Sequence, residues 1–176
     1  MLFRSIITVT VDSGPVVSTT LDATVCSDAP VGLILATDAS SAPAATYNVT
    51  ARTITGGLTA GGANAVVPSN GVAANYLSSD TYTNLGAVPL TVTYTVIGVG
   101  ASGCLGNPRV ITMTINPEPV VATTLNATIC SDIATGLTLA TNGTSVGALD
   151  YNIMARSITA GLVAAGTNVA VPANGV

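Results

Sequence analysis

Residues 90–96 read Leu-Thr-Val-Thr-Tyr-Thr-Val, and from Thr91 onward threonine alternates with an apolar or aromatic side chain. Successive side chains of a β-strand point to opposite faces of a sheet, so this period of two predicts a strand with one buried and one solvated face. The same alternation appears at residues 111–115 and at residues 7–11. Asn-Gly, Gly-Gly and Gly-Asn-Pro sequences between the apolar runs indicate turns. The sequence therefore predicts an all-β fold with roughly seven to nine strands in each unit.

The chain repeats itself with a period of about 104 residues. Pro15-Val16-Val17 returns as Pro119-Val120-Val121, and more than half of the positions from 15 to 72 are identical to those one period later. This period suits one immunoglobulin-like (Ig-like) β-sandwich. The prediction is a tandem array: residues 1–14 are the last strand of a preceding repeat, residues 15–117 are a complete sandwich, and residues 118–176 are the first part of the next.

The composition excludes several classes of function. Charged residues are 7% of the chain, with four cations, no His and a net charge of -4. Nucleic acid is not an expected partner, because its binding depends on clustered Lys and Arg. All four cations are Arg, so the sequence lacks both the commonest general base and any amine nucleophile, and we predict no catalytic residues and no enzyme. The apolar runs are too short for a membrane-spanning helix.

Cysteine spacing predicts one disulfide per repeat. Cys26 and Cys104 belong to the complete unit, whereas Cys130 is the equivalent of Cys26 one period later. We therefore expect Cys26 to pair with Cys104, and Cys130 to pair with a cysteine beyond the end of the chain. Such a bridge indicates an oxidising compartment and so an extracellular location. Buried free thiols are the alternative interpretation.

The other candidate sites have weaker support. Acidic residues are scattered singly, and their expected role is to cap turns. Asp28 and Asp132 follow Cys-Ser and are the best calcium ligands available, but the Asp-x-Asp-x-Asp spacing of calcium loops is absent, so no metal or cofactor is expected. Arg52 and its equivalent Arg156 are predicted to be solvated residues at strand ends, with contacts to a neighbouring chain or a glycan as the alternative.

Several motifs resemble the PKD-like repeats of giant secreted surface proteins of Bacteroidota. The resemblance covers nearly all of residues 6–132. It rests on Val-x-Tyr-x-Val at 92–96, Cys-x-Gly at 104–106 and Asn-Pro-x-Pro at 116–119, which occur in that order. It implies an Ig-like sandwich and a cell-surface role. Proteins of this kind are similar to long adhesins exported by the type IX system, some of them linked to gliding motility.

The expected function is a stalk or filament segment of an extracellular bacterial adhesin. Its partners would be neighbouring repeats, joined through a stiff linker of Asn116, Pro117, Glu118 and Pro119. One alternative is a self-assembling filament whose sheet edges accept a strand from another copy. Two others are a glycan- or protein-binding module, which would use Tyr76 or Tyr82, and an accessory domain of a secreted hydrolase. The absence of Trp and the single Phe argue against a sugar-stacking site.

Overall fold

The computed structural model describes residues 6–164 and 168–176, and it contains no helix in these ranges. The chain forms two compact units. The first comprises the residues up to Asn84 together with Pro89–Asn116, and the second comprises Leu85–Val88 together with Pro117–Val176. The opening five residues of the predicted segment 1–14 lie outside the described residues.

The described residues of the first unit form seven strands, which are β1 Ala23–Cys26, β2 Thr46–Ile54, β3 Leu58–Ala60, β4 Ser69–Val72, β5 Tyr82–Asn84, β6 Leu90–Val99 and β7 Arg109–Asn116. Five of them form one sheet in the order β1-β7-β6-β2-β4, whereas β3 pairs with β5. Strand β1 runs parallel to β7, and the other pairs are antiparallel. The predicted all-β class is confirmed.

The period-two pattern places the core on one face of the five-stranded sheet. The alternating side chains Val92, Tyr94 and Val96 of β6 and Ile111, Met113 and Ile115 of β7 are completely buried, whereas the threonines between them are partly exposed. The segment 30–36 shows the same alternation, because Val31, Leu33 and Leu35 are buried while Ile34 is exposed. It does not form a regular strand. Together with β3 and β5, this segment forms the layer that covers the sheet.

Residues 7–11 do not form the strand that their alternation predicts. Ile7, Val9 and Val11 are 79–86% exposed, whereas their equivalents in β7 are fully buried. Strand β7 lies between β6 and β1, and its backbone groups form hydrogen bonds with both neighbouring strands. No described strand flanks residues 7–11, so their backbone groups gain nothing from an extended, paired conformation.

The second unit has the same local hydrogen bonds as the first, one period later. The bridge between Val17 and Thr37 returns between Val121 and Thr141. Likewise, the pairing of Val49 with Ser69 returns as a bridge between Ile153 and Ala173. The described residues of Pro117–Val176 contain only such isolated bridges and no longer strand. The repeated sequence therefore makes repeated local contacts.

Candidate functional site

The predicted disulfide partners lie at opposite ends of the five-stranded sheet. Cys26 is the last residue of β1 and lies beside Asn116, the last residue of β7. Cys104 follows β6, and its carbonyl accepts a 2.9 Å hydrogen bond from the backbone N–H of Gly100. The antiparallel ladder places the start of β6 beside the end of β7, so the whole length of β6 separates the two cysteines. At about 3.4 Å per residue this separation is about 30 Å.

This register corrects the expected Cys26–Cys104 disulfide. All three cysteines are free thiols, with Cys26 and Cys130 exposed and Cys104 half-buried. A disulfide requires Cα atoms within about 7 Å, far less than the length of β6. The parallel pairing of β1 with β7 is the physical reason, because it directs Cys26 away from the loop that carries Cys104. The thiols of this unit therefore do not indicate a compartment.

The end of the sheet near Cys104 is also where the chain enters the unit. The buried residue Pro15 packs against Gly98 and Gly106. A Cβ atom at Gly106 would overlap the carbonyl oxygen of Pro15, and one at Gly14 would overlap that of Leu105. Glycine at these two positions allows the incoming backbone to pass directly against the β6–β7 loop.

The predicted linker begins at the other end of the sheet. Asn116 ends β7, and its carbonyl accepts a 2.9 Å hydrogen bond from the N–H of Ser27. Pro117, Glu118 and Pro119 have no regular secondary structure, and the division between the two compact units falls just after Asn116. The chain thus enters and leaves the first unit at opposite ends of its main sheet.

The motif Cys26-Ser27-Asp28 forms a corner at this exit end. Ser27 Oγ accepts a 2.8 Å hydrogen bond from the backbone N–H of Asn84, and Asp28 accepts one from the hydroxyl of Thr83. Asp28 has a φ of 62°, a left-handed conformation that aspartate tolerates better than most residues. These contacts tie the end of β1 to β5, which accounts for the motif without a bound ion.

A buried carboxylate lies in the core between the two layers. Asp80 has no exposed surface, and its Oδ1 accepts a 2.7 Å hydrogen bond from the N–H of Ala65. Its Oδ2 accepts a 2.7 Å hydrogen bond from the hydroxyl of Tyr94 and lies 3.4 Å from Nη1 of Arg52. The hydroxyl of Tyr82 lies 2.7 Å from that of Tyr94. We call these four side chains, Arg52, Asp80, Tyr82 and Tyr94, the Asp80 cluster.

The protonation of the Asp80 cluster follows from its burial. Burial raises the pKa of the Tyr94 hydroxyl far above its usual value, and its hydrogen bonds to Tyr82 and Asp80 raise it further. Burial also raises the pKa of Tyr82. Both phenols therefore keep their protons, so Tyr82 can donate to Tyr94 while Tyr94 donates to the Asp80 carboxylate. Arg52 supplies the compensating positive charge.

The Asp80 cluster joins the two layers of the unit and is closed to a substrate. Arg52 lies in β2 and Tyr94 in β6 of the main sheet, whereas Tyr82 lies in β5 of the covering layer. The side chain of Arg52 is 21% exposed, which corrects its prediction as a solvated strand-end residue. Tyr82 is 1% exposed and cannot offer its ring to a glycan. The Asp80 cluster is therefore a buried polar network that holds the two layers of the core together.

The sequence does not identify Asp80 as the partner of Arg52, because Asp80 is one of several isolated acidic residues. The equivalent Arg156 donates a 3.1 Å hydrogen bond to the carbonyl of Val169, as Arg52 does at 3.0 Å to that of Ala65.

Tyr76, the other candidate for glycan contact, is half-buried and donates its hydroxyl to the carbonyl of Val66 at 2.9 Å. The described residues contain no group of three or more His, Cys, Asp or Glu placed to hold a metal ion. They also contain no helix that could cross a membrane.

These observations define a class of protein, the Ig-like β-sandwich module whose polar core groups serve stability. The profile of the PKD-like domain family matches residues 23–119, which is more than half of the chain, and the chain belongs to this family. PKD-like domains are generally non-catalytic and typically extracellular structural or binding modules. No curated protein and no solved structure matches the chain significantly.

Proposed function

We propose that this chain is a segment of the stalk of an extracellular bacterial surface adhesin, in which PKD-like units joined in series provide length and stiffness. The observation that carries the proposal is the position of the two connections of the first unit. Pro15 lies at one end of the main sheet and Asn116 at the other. A unit with connections at opposite ends adds its full length to a chain of units, whereas one with both connections at the same end does not.

The repeated contacts support a serial arrangement, with one unit at residues 15–117 and the next beginning at residue 118. The backbone N–H of Ser18 donates to the carbonyl of Ala36 at 2.9 Å, and Ala122 donates to Ala140 at the same distance. The left-handed conformation of Asp28 recurs at Asp132 with the same φ of 62°. Local structure is thus maintained where the two sequences differ as well as where they agree.

The chemistry of the unit also favours a mechanical role over a catalytic one. Its buried carboxylate, Asp80, is paired with Arg52 and accepts a hydrogen bond from Tyr94, so this acidic group is not accessible to a substrate. The resemblance to repeats of Bacteroidota surface proteins supports the adhesin context, and it extends the proposal to export by a type IX system and to a role in surface attachment or gliding.

Solution scattering tests the stalk proposal. Recombinant proteins with one, two and three copies of residues 15–118 would be compared at equal mass concentration. A stalk predicts a maximum dimension that grows by about 30 to 40 Å with each copy, the length of β6 plus a short linker. A matched series with glycines in place of residues 116–118 at each junction should give a broader distribution of dimensions. Growth with the cube root of mass in the native series would contradict the proposal.

A second candidate function, a self-assembling filament, is favoured by the exposed segment at residues 7–11. Its apolar side chains have the spacing that β7 buries completely, so it has the pattern of a strand that can be donated to another copy. Such exchange predicts a molecular mass that increases with concentration, measured by light scattering. Val9→Asp should abolish the increase, whereas Thr10→Asp, on the opposite face of the strand, should leave it. A monomer at all concentrations would contradict the filament.

A further inference from the structure

The chain contains three Asn-Gly pairs, at Asn70, Asn142 and Asn174. Asparagine followed by glycine can cyclise, because the unhindered backbone nitrogen of the glycine can attack the side-chain carbonyl carbon of the asparagine. A glycine N–H that is held in a hydrogen bond must first lose that bond, which slows the attack. The environments of the three glycine nitrogens therefore decide which asparagine reacts.

Two of the three glycine nitrogens are held by an asparagine side chain. The N–H of Gly71 donates a 2.9 Å hydrogen bond to Oδ1 of Asn48, and the N–H of Gly175 donates a 3.1 Å hydrogen bond to Oδ1 of Asn152. Both bonds cross between neighbouring extended segments. These contacts reduce the reactivity of Asn70 and Asn174.

In the third pair, Asn142-Gly143, the glycine N–H is not held by a hydrogen bond to any of the described residues. Gly143 is exposed, with no atom outside its chain neighbours within 4 Å of the position a Cβ would take. Oδ1 of Asn142 accepts a 2.8 Å hydrogen bond from the N–H of Ser145 and a longer one, 3.3 Å, from the N–H of Thr144, which also donates to the backbone carbonyl of Asn142. Two donors on this oxygen draw electron density from the carbonyl carbon and stabilise the negative charge that forms on the oxygen during attack.

We propose that Asn142 is a site of spontaneous deamidation, and that the fold protects Asn70 and Asn174 from the same reaction. The Gly143 nitrogen forms a bond to Cγ of Asn142 and loses its proton, and the side-chain nitrogen leaves as ammonia. Water then opens the resulting succinimide to aspartate or isoaspartate. The net change replaces one amide with one carboxylate and requires only water.

The position accepts an aspartate without loss of its backbone contacts. The equivalent residue one period earlier is Asp38, whose N–H donates to the carbonyl of Val16 at 2.9 Å. The N–H of Asn142 makes the matching 2.8 Å bond to Val120. Deamidation to aspartate therefore gives the second unit the same residue that the first unit already has, and it adds one negative charge to a chain with few charges.

Peptide mapping by mass spectrometry tests the proposal on the intact chain, incubated in mildly alkaline buffer. We expect the amide-to-acid mass change to accumulate at Asn142 at least about fivefold faster than at Asn70 or Asn174, the factor that one hydrogen bond would give. In concentrated urea the three rates should converge. Faster reaction at Asn70 or Asn174 in the folded chain, or a preference that persists in urea, would overturn the proposal.

Matched variants test the protection directly. Asn48→Ala should accelerate deamidation at Asn70 about fivefold and leave Asn174 unchanged, and Asn152→Ala should do the reverse. If Asn48→Ala unfolds the first unit, Asn152→Ala in the second unit still provides the comparison. Equal rates at Asn174 in the Asn152→Ala variant and in the parent chain would refute the protective role of the hydrogen bond.

Discussion

The hydroxyl oxygens of Tyr82 and Tyr94 lie 2.7 Å apart in a part of the core that solvent does not reach. The two residues belong to different layers of the sandwich, so their contact fixes the position of one layer on the other. Because Asp80 accepts a hydrogen bond from the hydroxyl of Tyr94 and pairs with Arg52, the contact depends on a single carboxylate.

Replacing Asp80 should therefore be the most costly single change in the polar core. Asp80→Ala leaves the N–H of Ala65 and the hydroxyl of Tyr94 without an acceptor and leaves Arg52 without its counter-charge. We expect a loss of about 2 to 4 kcal/mol in the free energy of unfolding, measured by urea denaturation. Asp12→Ala removes an exposed carboxylate and should change stability by less than about 0.5 kcal/mol. Equal effects of the two changes would contradict the assignment.

The two tyrosines of the Asp80 cluster also predict loss of stability at high pH. Their pKa values are raised in the folded chain, so above the ordinary tyrosine pKa of 10.0 the unfolded state releases protons that the folded state retains. The unfolded state then binds fewer protons, and stability falls as pH rises, by about 1.4 kcal/mol per pH unit for each such group. Tyr94→Phe should reduce this slope in urea midpoints measured above pH 10. Between pH 6 and pH 8 the urea midpoints of the variant and the parent should change with pH in parallel. An identical slope of the two midpoints above pH 10 would refute the explanation.

Mass spectrometry can check the separation of the cysteines. In the Cys130→Ser variant only Cys26 and Cys104 remain, about 30 Å apart by the length of β6. Mild oxidation of the folded monomer should therefore yield no internal cross-link, and both thiols should be alkylated under non-reducing conditions. Oxidation in urea, where the chain can bring the two residues together, provides the positive control. A peptide pair containing Cys26 and Cys104 from the folded monomer would contradict the strand register.

A glycine substitution can test the packing of the incoming chain. Gly106→Ala places a Cβ against the carbonyl of Pro15 and should cost about 1 to 3 kcal/mol of stability, measured as a lower urea midpoint. Gly62→Ala is the control, because a Cβ there meets no atom within 4 Å. We expect the control to be neutral or slightly stabilising, since alanine restricts the unfolded chain. A neutral Gly106→Ala would show that Pro15 does not pack as described.

The alternation in the sequence predicted the parts of the fold in which each residue depends on its neighbours along the chain. Strands β6 and β7 have the predicted buried and exposed faces because a period of two is a local property. The separation of Cys26 from Cys104 could not be predicted, because it depends on whether β1 runs parallel or antiparallel to β7, and the expected disulfide was therefore wrong. The role of Asp80 was equally hidden, since its partners come from strands that are distant in sequence.

The parallel pairing of β1 with β7 has a mechanical consequence. A pull applied between the two connections of the unit draws β1 towards its amino end and β7 towards its carboxyl end, so the strands slide past each other along their common axis. All the backbone hydrogen bonds between the two strands, from Ala23 beside Met113 to Cys26 beside Asn116, then bear the load together. In an antiparallel pair in the same place, the same pull would break the interstrand hydrogen bonds one after another, at a lower force.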